Sequence, residues 1–237
     1  MTRRRADNSG YRALSLWFDQ LPETPTPRPP LAGDVTVDVA IVGAGYTGLW
    51  TAYYLQAIDP SLRIALVEAE IAGFGASGRN GGWCSALFPV SAATLAAESG
   101  REAALAQYAA MRGAVAEVVR VAADEGLDAD IAHGGTVVLA RTPVQLQRAR
   151  DEADGSAEYG LDVALLSADD ARARLNATGV LGATYTPHCA AIQPAKLVRG
   201  LAEVAARRGA TIYEQTRAVA VEPGLVRTDR GLVRAPT

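Results

Sequence analysis

The run Asp38-Val39-Ala40-Ile41-Val42-Gly43-Ala44-Gly45-Tyr46-Thr47-Gly48 leaves this chain few folds to choose from. The apolar, β-branched stretch from Val35 to Val42 reads as a strand buried on both faces, because its apolar residues leave no room for alternation. Glycines follow at 43, 45 and 48, and a helical pattern runs from about 46 to 58, stopping before Asp59-Pro60. In this order each glycine has a task. Gly43 makes the tight turn, Gly45 lets the backbone approach a pyrophosphate, and Gly48 lets the helix pack closely on the strand. The helix start aims unpaired N–H groups and the positive end of its dipole at the same phosphate. A second strand, Arg63 to Val67, ends at Glu68, within a few residues of where an acid that accepts ribose hydroxyls should fall. Its charge disfavours a 2′-phosphate and so argues against NADP. The competing reading is a glycine-rich turn beside a solvated surface acid.

The later segment Ile71 to Cys84 carries five glycines, at 73, 75, 78, 81 and 82. Such a stretch fills no core; it suits a backbone that passes close to something flat or follows unusual dihedrals. It reads as a ligand-contacting loop, with a flexible connection as the plainer alternative.

Composition bounds the rest. The chain has 237 residues, long enough for one large domain or two small ones. A 49% hydrophobic and 21% charged composition is that of a soluble globular protein. The net charge of −3 gives no case for nucleic acid or an anionic membrane. Cys84 and Cys189 form no CxxC pair, which fits a reducing cytoplasm better than a disulfide framework. Two histidines, His133 and His188, are too few for a histidine-rich metal site, and no acidic cluster suggests another. Met1-Thr2-Arg3-Arg4-Arg5 lacks the apolar core of a targeting signal, and the apolar window 35–55 is too interrupted to span a membrane.

Residues 1–34 read as an N-terminal arm with a short helix at Leu14 to Phe18, followed by an extended connector carrying Pro22, Pro25, Pro27, Pro29 and Pro30. Residues 91–125 read as helical, with Leu105, Tyr108, Met111, Val115, Val118 and Val119 as core. Strands are expected over 133–140, 180–184 and 211–214. Helices are expected over about 143–157, from the Ser167 cap to about 175, and from Pro194 to about 208. Val219 to Val221, Val226 to Thr228 and Leu232 to Arg234 read as a meander.

These residues together resemble the FAD-dependent amine and amino-acid oxidoreductases, the family of D-amino-acid oxidase, glycine oxidase and sarcosine oxidase. The gamma-glutamylputrescine oxidoreductase-like branch is the most similar, since Leu16-Trp17 and the prolines also match. The resemblance rests on Gly43 to Gly48, Glu68-Ala69-Glu70 and Gly75 to Gly82, then on Ile192-Gln193-Pro194-Ala195-Lys196-Leu197 and Gly209 to Glu214. It implies an α/β fold: a Rossmann-like FAD-binding domain with a parallel sheet, plus part of an α+β substrate domain. The implied division is an arm (1–34), a first part of the FAD-binding domain (35–90), a helical and substrate-domain segment (91–192), and a truncated return to the FAD-binding domain (193–237).

The implied cofactor is FAD. Gly43, Ala44, Gly45, Tyr46, Thr47 and Gly48 would lie at the pyrophosphate, Glu68 at the adenosine ribose and Ala69 near the adenine. Ala76, Ser77, Arg79, Asn80, Gly81 and Gly82 would follow the pyrophosphate and the isoalloxazine edge, and the backbone of Ala218 would meet the adenine. Arg79 could equally tie down its own loop. The implied reaction is hydride transfer to flavin from the carbon beside an uncharged amine, with an amine or amino acid as substrate. No catalytic residue or metal ligand is assigned. Cys84 reads as a small buried residue rather than a flavin attachment point, and both histidines as surface or turn residues. The chain is expected to be the N-terminal portion of a longer, cytoplasmic enzyme. The alternatives are a noncatalytic FAD- or nucleotide-binding fragment and an NAD-dependent dehydrogenase.

Overall fold

The computed structural model describes residues 8–237, so the reading of Met1 to Arg5 lies outside the described residues, as do Ala6 and Asp7. Its strands are β1 (Val35–Thr36), β2 (Val39–Val42), β3 (Ile64–Val67), β4 (Trp83–Ser85), β5 (Ala132–His133), β6 (Thr136–Ala140) and β7 (Ala164–Leu166). They continue with β8 (Gly182–Thr186), β9 (Cys189–Ala191), β10 (Thr211–Tyr213), β11 (Ala218–Glu222), β12 (Leu225–Thr228) and β13 (Gly231–Arg234). The helices are α1 (Leu16–Asp19), α2 (Tyr46–Ile58), α3 (Ala92–Ser99), α4 (Arg101–Asp124), α5 (Pro143–Glu158), α6 (Ala168–Arg174) and α7 (Pro194–Arg207).

The chain divides into two compact units. The first comprises the described residues up to Gly82, then Ala122–Asp130 and Gln193–Thr237; the second comprises Trp83–Val121 and Ile131–Ile192. In the first unit, β10, β3 and β2 form a parallel sheet in that order, with α2 as the crossover between β2 and β3. Every residue of β3 is buried, as a central parallel strand requires. Helix α7 covers this unit with a continuous apolar face that includes Leu197, Val198, Leu201 and Val204. It starts on the Gln193 cap, whose side chain accepts from Lys196 N–H. A second sheet carries the meander β11-β12-β13, with β1 added parallel to β13.

The arm is anchored rather than loose. Phe18 and Tyr11 are buried against Ile71 and Ala195, and Ser15 caps α1. Further along, Glu214 is fully buried and accepts from the Arg28 backbone N–H (2.6 Å), the Arg28 guanidinium (2.9 Å) and Ala72 N–H (2.8 Å).

The single strand expected over 35–42 is two strands, and it is not buried on both faces. β2 is half-buried and Val42 is 52% exposed. Among the described residues β2 is the outer strand of its sheet, with no further strand beside it, and on that side Ala40 N–H donates to the Thr237 carbonyl at 2.9 Å. The break falls where Asp38 turns its carboxylate to Arg63, which holds that carboxyl down at about 2 through charged hydrogen bonds.

The second unit is antiparallel and helical: β4-β9-β5 and β6-β8-β7 form two small sheets, with α3, α5, α6 and most of α4 alongside. The strand expected over 133–140 is interrupted at Gly134-Gly135, where a Cβ on Gly135 would lie 2.3 Å from the Thr186 carbonyl. The strand expected at 180–184 instead occupies 182–186. Of the six residues read as the core face of α4, only Val115 is buried; the other five are half-buried. The other buried residues of α4 are Ala104, Val121 and Ala122.

Candidate functional site

The glycine turn closes as the tight-turn reading requires. Gly43 sits at φ +100°, and its N–H donates to the Val67 carbonyl at 2.9 Å. A Cβ on Gly48 would lie 2.2 Å from the Gly43 carbonyl oxygen and 3.0 Å from Ile41 Cγ2, so only glycine lets α2 approach its strand this closely. Gly45 is the N-cap of α2 and supplies no capping side chain.

That cap comes from the second glycine segment. Ser77 Oγ accepts from Tyr46 N–H at 2.9 Å, and a Cβ on Gly45 would meet the same oxygen at 3.0 Å. The Ala44 carbonyl also accepts from Gly73 N–H at 3.0 Å. The two segments, separated by a helix and a strand in sequence, therefore meet at the start of α2. Glu68 also contacts the turn: one carboxylate oxygen accepts from Ala44 N–H (3.0 Å) and the other from Glu70 N–H (3.0 Å). Each oxygen keeps a further lone pair for a hydroxyl donor.

The remaining candidates divide. Asn80 folds inward on its loop, donating to the Ser77 carbonyl (3.0 Å) and accepting from Gly82 N–H (2.9 Å). Gly82 sits at φ +74°, and Ala76 and Gly81 are exposed. Arg79 lies over the Phe74 ring and donates to the Gly75 carbonyl, an arrangement that ties down the loop. Thr47 is exposed at the start of α2, and Ala69 is half-buried beyond β3. Ala218 pairs with Thr228 and packs against the cluster that contains Val67. The chain between them passes Glu68, whose carbonyl accepts from Thr216 N–H at 2.8 Å.

Sequence reasoning passed over the supports of these segments. Trp17 Nε1 donates to the Asn80 carbonyl at 2.7 Å, Ser15 Oγ donates to that of Gly78, and Phe18 fills the space that a Cβ on Gly78 would need. The Tyr46 hydroxyl donates to the Pro194 carbonyl at 3.1 Å, joining α2 to the start of α7. The Leu16-Trp17 pair was the available signal; nothing in the sequence marked Glu214 as the tie between Arg28 and Ala72.

Other groups weighed in the sequence are elsewhere. Cys84 is half-buried on β4 opposite Ala190, and burial pushes its thiol pKa up, away from a reactive thiolate. His133 is exposed, and His188 Nε2 lies 2.7 Å from Asp162. Among the described residues no three His, Cys, Asp or Glu side chains gather as metal ligands, and no helix is long and apolar enough to cross a membrane.

Comparison with known proteins agrees with this geometry. Residues 38–235 match the family described as FAD dependent oxidoreductase. The probable oxidoreductase OrdL of Rhizobium meliloti (strain 1021) is 30% identical over 233 residues, covering 92% of this chain and 53% of OrdL. The gamma-glutamylputrescine oxidoreductase of Escherichia coli (strain K12) is 29% identical over 206 residues, covering 85% of this chain and 47% of that protein. Among solved structures, glycine oxidase from Bacillus cereus ATCC 14579 superposes with a TM-score of 0.69 at 25% identity, over 84% of this chain and 53% of the oxidase. The chain thus spans about half the length of the curated relatives it matches.

Proposed function

The chain belongs to the FAD-dependent oxidoreductase family, and from that premise we propose that it forms the flavin-binding portion of an enzyme that oxidises an amine or amino acid. The observation that supports this most is the junction at Tyr46, where the second glycine segment caps the helix that follows the glycine turn. The residues present fit FAD. The α2 N-terminus and the turn at Gly43 to Gly48 would hold the pyrophosphate, where a side chain at Gly45 would intrude. Ser77 Oγ accepts from Tyr46 N–H, which leaves its own proton to donate to a phosphate oxygen. Glu68 would take the ribose hydroxyls, and the loop from Ala76 to Gly82 would run along the flavin edge. Bound FAD supplies a hydride acceptor for the C–H bond beside an amine. The chain's own residues bind and orient it, with the loop fixed from behind by Trp17 and Phe18.

The test is purification of the chain followed by extraction of its chromophore. FAD should be recovered, and Gly45→Val should purify colourless with its fold retained. Anaerobic addition of a panel of amines and amino acids should then bleach the flavin. A colourless wild-type chain that binds NADH would overturn the cofactor assignment. Flavin that stays oxidised with every compound would leave a noncatalytic FAD-binding chain.

A further inference from the structure

The second unit contains a cavity of about 360 Å³ that no residue assigned to FAD lines. This lies at the small end of the range for small-molecule sites, roughly 300–1,000 Å³. Its walls are set by α4, which presents Tyr108 and Arg112 one turn apart on one face, and by α5, which presents Glu152 and Ser156 in the same way. Leu87, Phe88, Leu161 and Val163 add an apolar side. Tyr108 is fixed: its hydroxyl donates to the Val90 carbonyl at 2.9 Å, and Phe88 packs edge-on against its ring.

Four charged side chains line this cavity, and each of its three carboxylates has one hydrogen-bond partner. Asp162 holds His188 at 2.7 Å, and Asp151 accepts from Gln147 at 2.8 Å. Arg112 is half-buried and, among the described residues, makes no hydrogen bond or ion pair, so all its guanidinium donors are open. Glu152 accepts only a long contact from Thr184 Oγ1 (3.3 Å), which leaves its other oxygen open. Burial first, and Glu152 second, push the Tyr108 pKa up, so the carboxylate acts on the same space.

One unpaired cation beside carboxylates in a half-apolar cavity calls for a ligand that carries both charges and an apolar body. A simple carboxylate would satisfy Arg112 but meet the three acidic groups; a simple amine would leave Arg112 unpaired. We propose that this cavity binds an apolar α-amino acid as its zwitterion, with the carboxylate on Arg112, the ammonium on Glu152 and the side chain against Leu87 and Phe88. This site is independent of the flavin reading and would stand if that reading failed.

Calorimetric titration of the 237-residue chain with L-leucine, L-leucinamide and 4-methylpentanoate tests it. Leucine should bind, and each analogue, lacking one charge, should bind at least about tenfold more weakly. Arg112→Gln should weaken leucine by about tenfold and abolish the preference over leucinamide. Glu152→Gln should do the same for the preference over 4-methylpentanoate. Flavin content, measured in parallel, should be the same in all three proteins, and so should the melting temperature. The proposal fails if leucine does not bind, if leucinamide or 4-methylpentanoate binds as tightly, or if leucine binding is indifferent to both substitutions. The analogue comparison needs no variant, so it stands even if a substitution disturbs folding.

Discussion

Two glycines, both inside helices, show what a single Cβ decides in this chain. At Gly48 the added carbon would sit 2.2 Å from the Gly43 carbonyl oxygen, a main-chain atom of the turn itself. At Gly113, in the middle of α4, it would meet nothing within 4 Å. Replacing glycine by alanine in a helix gains about 1 kcal/mol from propensity and reduced unfolded-state freedom. Overpacking costs about 1–3 kcal/mol, and a contact this short against backbone takes the upper end. The signs therefore differ: Gly113→Ala should stabilise by up to about 1 kcal/mol, and Gly48→Ala should destabilise by about 2 kcal/mol. Denaturant unfolding of the two variants side by side checks both. A Gly48→Ala protein as stable as wild type would mean that α2 can stand further from β2 than it does here.

Between elements, the polar tie at Glu214 outweighs its size. One buried carboxylate satisfies the arm at Arg28 and the start of the glycine segment at Ala72, while Arg28 also reaches Glu203. Glu214→Ala would leave the Arg28 guanidinium, whose side chain is only 15% exposed, and the Ala72 N–H without their shared acceptor. Removal of one partner from a buried pair costs about 3–5 kcal/mol where the other charge is left uncompensated; Arg28 keeps Glu203, so urea unfolding of this variant should lose about 2–3 kcal/mol. A loss below 1 kcal/mol would show water replacing the carboxylate, and would demote the tie to a surface contact. This element was not legible in the sequence, because a strand-end acid 186 residues from its arginine carries no local pattern. What was legible had a local cause. The α2 bounds followed from glycines before it and Asp59-Pro60 after it, and the α6 start followed from the Ser167 cap, whose side chain accepts from Asp170 N–H. The turn at Gly43 and the close approach at Gly48 were legible too, since both are written in glycines. The burial of β2 was misjudged because composition reports what a strand could bury, whereas its place in the sheet sets what it does bury. The strands β4, β7 and β9, three residues each, are too short to show a period of two.

At the scale of the whole molecule, the two units are interleaved in sequence. The chain passes from one to the other at 82–83, 121–122, 130–131 and 192–193, so neither unit is a contiguous piece. All the residues assigned to FAD belong to the first unit, which makes cofactor binding a way to ask whether the units unfold together. FAD at a hundredfold excess over its dissociation constant should stabilise the unit that holds it by about 2.7 kcal/mol. For a chain of this size each kcal/mol moves the melting temperature by about 2–4 °C, so the expected rise is about 5–10 °C. NAD at the same concentration should give none, and the rise should vanish in Gly45→Val. Trp17 and Trp50 lie in the first unit and Trp83 in the second, so a Trp83→Phe protein reports fluorescence from the first unit alone. If that signal and the far-ultraviolet circular dichroism shift by the same amount, the four crossings make one cooperative whole. If only the fluorescence moves, the units melt separately and the second holds its fold without help from the cofactor. A shift with NAD equal to that with FAD would contradict the proposed course of the 76–82 loop along the flavin, the part of FAD that NAD lacks.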